Sequence, residues 1–211
     1  MQIKPYILLA DKKTAIYEPN RMYSQQEVYG IVFFSDITGE HIRLLSPREL
    51  KDQKLFPSDA KMPETNVYPF EVDALFDFNG KKDTLEFEKA GSNAVANVKH
   101  ICGDEWFIPA LGEYVAVIHC RKEIDKLLSH INDSYQLSTS TYRWTVSRHS
   151  QYSAYYCSGY GGRFTYITFY YPFSIATITL LPNALNALRL KRMKYSIIQP
   201  MKFIYKTQTI C

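Results

Sequence analysis

The chain has 211 residues, of which 46% are apolar and 22% charged, enough for one domain with a sizeable core and too apolar for global disorder. Its net charge is a mild +4, yet Asp133 is the last acidic residue: nine bases and no acid follow it, and the first 133 residues hold all 21 acids. That asymmetry admits an anionic partner as readily as mutual neutralisation of the two parts.

The N-terminus, MQIKPYILLADKK, has a short apolar stretch broken by Pro5 and no small-residue cleavage site, so no signal peptide is evident. Residues 1–27 read as an N-terminal extension. Residues 28–45 read as a hairpin: a β-branched and aromatic run, VYGIVFF, then DITGE as turn chemistry, then HIRLL returning. Residues 46–90, punctuated by Pro47, Pro57, Pro63 and Pro69, read as a loop-rich insertion with one or two small strands around 67–78. A short helix capped by Ser92 or Asn93 fits residues 92–101. Leu111, Tyr114, Val115, Ile118, Ile124, Leu128 and Ile131 recur at helical spacing and predict a longer helix with one buried face.

Beyond Ser138 the texture becomes strand-like. Residues 164–188 carry no charge over 25 positions, a length that could span a bilayer. Pro172, Pro182, two Asn and four Thr make this stretch read as strands, with no membrane span. Residues 197–204 read as a closing strand and 205–211 as a tail. The four cysteines (Cys102, Cys120, Cys157, Cys211) show neither CxxC nor metal-finger spacing, and read as free thiols.

The segment that draws attention is 142–173, YRWTVSRHSQYSAYYCSGYGGRFTYITFYYPF. Eight of its residues are Tyr, and its only charges are Arg143, Arg148 and Arg163. Tyr, Ser, Gly and Arg together are the composition of binding surfaces, with large rings, small spacers and a planar cation. Consecutive strand residues point to opposite faces, so of the pairs Tyr155-Tyr156 and Tyr170-Tyr171 some rings should face solvent.

Read in order, YGIVFFSDITGEH, GDEWFIPALGE, INDSYQL, YRWTVS, SAYY and SIIQPMKFI resemble successive landmarks of the collagen-like-protein C-terminal (lectin-like) domain family. That family overlaps the variable proteins of diversity-generating retroelements. The resemblance implies an α+β, C-type-lectin-like fold of the formylglycine-generating-enzyme variant, over residues 28–204, with two helices packed on short antiparallel strands. It implies a non-enzymatic domain that recognises a protein or carbohydrate ligand, at a phage tail-fibre tip or bacterial cell surface, and is compatible with a homo-oligomer. Under it, Arg148, His149, Tyr152, Tyr156, Ser158, Tyr160 and Arg163 are the expected exposed ligand contacts. Tyr142, Trp144 and Ala154 are the expected scaffold. From residue 137 to 190, only Trp144 and Gln151 belong to the types that adenine-directed mutagenesis of AAY codons cannot reach.

Other chemistries find less support. Glu18-Pro19-Asn20 matches a tripeptide of calcium-dependent lectins, but the segment after Asp133 has no carboxylate for calcium, and neither metal nor cofactor is expected. Cys157 with His149 is the one nucleophile–base pair worth stating, and no third group orients the imidazole. Gly159-Tyr160-Gly161-Gly162 does not open a helix after a strand, so it is no phosphate loop. Nucleic acid is not expected as a partner, because most of the positive charge (Arg189 to Lys206) lies apart from the tyrosines and no RNA-binding motif appears. The alternative reading is an undiversified adhesin that holds sulfated polysaccharide through Arg163 and Arg189–Lys194.

Overall fold

In the computed structural model residues 2–35, 41–57, 63–159, 163–169 and 171–182 are described. The strands are β1 (Gln2–Leu9), β2 (Ala15–Ile16), β3 (Val28–Ser35), β4 (His41–Gln53), β5 (Tyr142–Arg148), β6 (Ser153–Ser158), β7 (Phe164–Thr168) and β8 (Phe173–Pro182). They form one sheet in the order β2-β1-β3-β4-β8-β5-β6-β7, antiparallel throughout except for the β5–β8 pair. The helices are α1 (Glu71–Ala74), α2 (Gly80–Lys89), α3 (Asn93–Cys102), α4 (Leu111–His119) and α5 (Arg121–Leu128). The class is α+β. It differs from the expectation of two helices on short strands, for five helices and a long sheet are present among the described residues.

Continuous apolar runs in the strands follow from coverage on both faces. Val32, Leu44 and Ile175 face one core with Phe87 of α2 and Val95 and Val98 of α3. Their neighbours Ile31, Phe33, Leu45 and Ala176 face a second core with Tyr114, Val117 and Ile118 of α4 and Ile124 and Leu128 of α5. The stretch expected as an N-terminal extension supplies β1 and β2, and β1 lies between β2 and β3. Pro5 is tolerated there because it falls where the β1–β3 register shifts, between Gln2 and Tyr6. Pro47 likewise sits in a register shift of the β4–β8 ladder, so β4 continues through it to Gln53.

The expected small strands around 67–78 are instead one isolated bridge, Val67 to Arg148, followed by α1. The predicted cap is observed: the Ser92 hydroxyl accepts the Val95 N–H at 3.4 Å. The single helix expected over 111–131 is two, with the break at Cys120 (φ −98°, ψ 11°). The expected closing strand at 197–204 lies outside the described residues.

Two buried polar arrangements hold these pieces together. Arg143 of β5 is fully buried and ion-pairs through Nε with Glu49 of β4 at 2.5 Å. Its Nη2 donates to the Gln136 carbonyl at 2.9 Å and its Nη1 to the Leu137 carbonyl at 3.4 Å. Where α1 and α2 meet the start of α4, Asp77 Oδ2 accepts from the Ser147 hydroxyl at 2.5 Å, and Ser147 Oγ accepts the Leu111 N–H at 2.8 Å. Glu113 accepts the Ala110 N–H at 3.0 Å and lies 3.4 Å from Arg43 Nε. A Cβ at Gly112 would meet the Leu75 carbonyl oxygen at 2.5 Å, so only glycine lets α4 approach this closely. Burial, more than any neighbouring charge, pushes the carboxyls of Asp83 and Glu113 up to about 7.

Removing the guanidinium leaves Glu49 buried without its partner, and such losses cost about 3–5 kcal/mol. Arg143→Ala should therefore shift urea unfolding by that amount; a loss below about 1 kcal/mol would show that the pair is not structural. Asp83 and Glu113 titrate near 4 when unfolded and near 7 when folded. Their stabilisation is full below pH ~4 and is lost as pH rises to ~7, because over that window only the folded state holds the protons. The melting temperature should fall from pH 5 to pH 8, and Asp83→Asn with Glu113→Gln should flatten that slope.

Candidate functional site

Strands β5, β6 and β7 form the end of the sheet, and their alternation divides the Tyr-rich segment between two faces. Trp144 lies directly opposite Tyr156 in the β5–β6 ladder, so the two share a face. Trp144 is fully buried, and its indole N–H donates to the Gln53 carbonyl at 2.9 Å. Phe173 packs on Trp144 with centroids 5.0 Å apart, and Tyr156 meets Trp144 edge-on at 6.3 Å. Tyr142 completes the group, edge-on to Tyr156 at 5.2 Å and tilted on Phe173 at 5.5 Å. Tyr142 is 48% exposed, while Tyr156 and Phe173 are half-buried. The result is an aromatic platform on a buried indole, and Tyr142, expected as scaffold, is its most accessible ring.

The other face carries a second group. The His149 ring stacks on Tyr166 at 3.3 Å with 3° between planes, and both stand edge-on to Tyr155. Tyr155 is buried and donates its hydroxyl to the Tyr68 carbonyl at 2.8 Å. His149 Nδ1 lies 3.3 Å from the Ser153 hydroxyl. Tyr152, in the β5–β6 turn, is 53% exposed, and Tyr171 is also exposed.

Two of the expected ligand contacts are corrected. Arg148 is 6% exposed, and its guanidinium donates to the carbonyls of Pro63 at 2.6 Å, Thr65 at 3.2 Å and Ser150 at 3.3 Å. It fastens the 63–65 segment to the sheet and has little surface left for a ligand. Ser158 is buried at the end of β6, where its N–H donates to the Arg163 carbonyl at 2.7 Å. His149, Tyr152, Tyr156 and Arg163 retain exposed or half-exposed surface. Tyr160 lies outside the described residues. Trp144 and Ala154 are buried in the scaffold, as expected.

Sequence reasoning missed Tyr142 and Tyr166 as surface rings, and also a run of exposed apolar side chains: Val67, Phe70, Val72, Phe76 and Phe78. The signal was available, since TNVYPFEVDALFDF is too apolar for a solvated loop.

Cys157 and His149 are not brought together. Cys157 faces the core that holds Leu137 and Ile118, and burial pushes its thiol up to about 12. Among the described residues no group of three or more His, Cys, Asp or Glu could hold a metal ion, and no helix is long and apolar enough to cross a membrane. Glu18 lines a cleft of about 340 Å³ with Lys4, Tyr17, Glu123 and His130, on the far side of the sheet order from β7. A shallow cleft of about 460 Å³ lies between Gln53, Asn93 and Asn97.

Among solved structures, the chain is similar to a fimbrial protein from Bacteroides ovatus ATCC 8483, with a TM-score of 0.62 and 12% sequence identity. The match covers 85% of this chain and 48% of that one, so the chain spans about half the length of its structural relative. At that identity the likeness shows a shared fold. No protein-family model matches the chain, and no curated protein matches it in sequence.

Proposed function

We propose that this protein is a non-enzymatic recognition module that binds a protein or carbohydrate ligand at a cell or virion surface. The observation that carries the reading is the Tyr142–Tyr156–Phe173 platform, held on the buried Trp144. Exposed rings normally cost a soluble protein solubility, and rings fixed by their neighbours lose little entropy on binding. Tyr also offers a hydroxyl at the end of a large apolar contact. The fold shared with a fimbrial protein supports a surface location.

The finer reading is a C-type-lectin-like variable domain, diversified by a retroelement. Its support is the order of sequence landmarks and the narrow residue alphabet of 137–190. The polysaccharide alternative rests on Arg163, which is exposed, and on Arg189–Lys194, which lie outside the described residues.

Tyr142→Ala, Tyr152→Ala and Tyr166→Ala, made singly, test the reading with labelled protein on intact bacterial cells by flow cytometry. Tyr142→Ala should weaken binding by about tenfold or more, the scale of one aromatic hot spot. Its melting temperature should move by less than about 4 °C, since only a rim contact is lost. Binding unchanged by all three substitutions would refute a tyrosine-borne surface. The diversification claim has its own check. The gene should lie beside a reverse transcriptase and a near-copy of codons 142–190 that differs mainly at adenines; absence of that copy removes the claim.

A further inference from the structure

The aromatic platform does not end at its rings. Gln53 of β4 lies directly opposite Phe173 in the β4–β8 ladder, so the two side chains share the face of the sheet that carries the platform. The Gln53 carbonyl already holds the Trp144 indole N–H at 2.9 Å. Its side chain turns to α3, where Oε1 accepts from Asn97 Nδ2 at 2.8 Å, and its own Nε2 donates to the Lys51 carbonyl at 2.7 Å. Between β4 and α3 opens the shallow cleft of about 460 Å³, a volume in the range of small-ligand sites. Asn93 stands one turn before Asn97 and lines the cleft from the same side of α3. Rings and amides thus form one surface, joined at Gln53.

We infer that this composite surface binds an uncharged oligosaccharide, with sugar rings stacked on Tyr142 and Phe173 and hydroxyls held by the amides of Gln53, Asn93 and Asn97. The inference rests on the recognition reading and narrows its ligand to one class. Three observations select that class. The first is the pairing of apolar and polar parts. A pyranose has a face of C–H groups and a rim of hydroxyls; the rings take the face, and the amides, which both donate and accept as hydroxyls do, take the rim. The second is charge. The charged side chains that line the cleft are one acid, Asp52, and one base, Lys54, so it offers a sulfate or carboxylate no net attraction. The third is preorganisation. The Asn97–Gln53 bond holds both amides and leaves the second N–H of each for a ligand, while Trp144 and Tyr156 hold the Phe173 ring. Little side-chain freedom is left to lose on binding.

The test measures labelled full-length protein on intact bacterial cells that have been oxidised with sodium periodate, which cleaves vicinal diols, or digested with proteinase K. Periodate should abolish binding, proteinase K should leave it unchanged, and excess heparin should not compete. Asn93→Ala with Asn97→Ala changes two exposed positions of a helix to its best-tolerated residue, so the melting temperature should hold. Binding should nonetheless fall by about tenfold or more, the scale of two lost hydrogen bonds. Binding that survives periodate and is lost to proteinase K would assign the surface to a protein and overturn the inference. Competition by heparin would overturn it in favour of a sulfated ligand. If Tyr142→Ala abolishes binding while the paired Asn substitutions do not alter it, the recognition reading stands and the oligosaccharide site falls. If none of the Tyr substitutions alters binding, both fall.

Discussion

The buried guanidinium of Arg143 is the constraint on which the Tyr-rich end of the sheet depends. A fully buried cation is tolerable only where its donors are matched, and here Glu49 takes Nε while the carbonyls of Gln136, Leu137 and Thr141 and the Thr139 hydroxyl take the rest. Those partners come from β4 and from the linker between α5 and β5, so one side chain fixes the start of β5 against β4 across β8, and catches the linker as well. Asp125 assists by accepting the Leu137 and Ser138 N–H groups at 2.5 and 2.9 Å. Tyr142 and Trp144 flank Arg143 in sequence and point to the opposite face. Whatever sets Arg143 therefore sets the aromatic platform behind it.

Two of the nine bases that follow Asp133 are thereby withdrawn from any surface field. Arg143 gives its Nε to the Glu49 carboxylate and its other donors to the linker before β5, and Arg148 gives its donors to backbone carbonyls inside the fold. Formal charge in a sequence records no depth. A guanidinium with five donors is as useful for tying loops to a sheet as for holding an anion.

What the sequence disclosed follows from how local each signal is. The Ser92 cap and α3 were legible because the capping hydroxyl and the N–H it accepts lie three residues apart. The strand β3 was legible from its β-branched and aromatic run. The strand β1 was hidden by Pro5, whose cost vanishes at a register shift that only the paired strand reveals. The helix α2, GKKDTLEFEK, buries only Gly80, Asp83, Thr84 and Phe87, too weak a stripe to stand out beside the prolines before it. At the candidate site, composition announced the tyrosines, but their division between faces depends on the β5–β6 and β6–β7 registers. Tyr155 and Tyr156 are neighbours in sequence and have opposite fates, one sealed under His149 and Tyr166, the other half open beside Tyr142.

That opposition limits how many messages such a surface can carry. On β5 and β6 only Tyr142 and Tyr156 are not buried, and the residues beside them fill a core or hold an ion pair. Gly159 tightens the limit further, for a Cβ there would run into the Leu137 carbonyl. A repertoire drawn on this frame would grow with the number of outward positions rather than with the length of the segment. Much of its variety would have to come from the turns, where Tyr152 and Tyr171 are exposed.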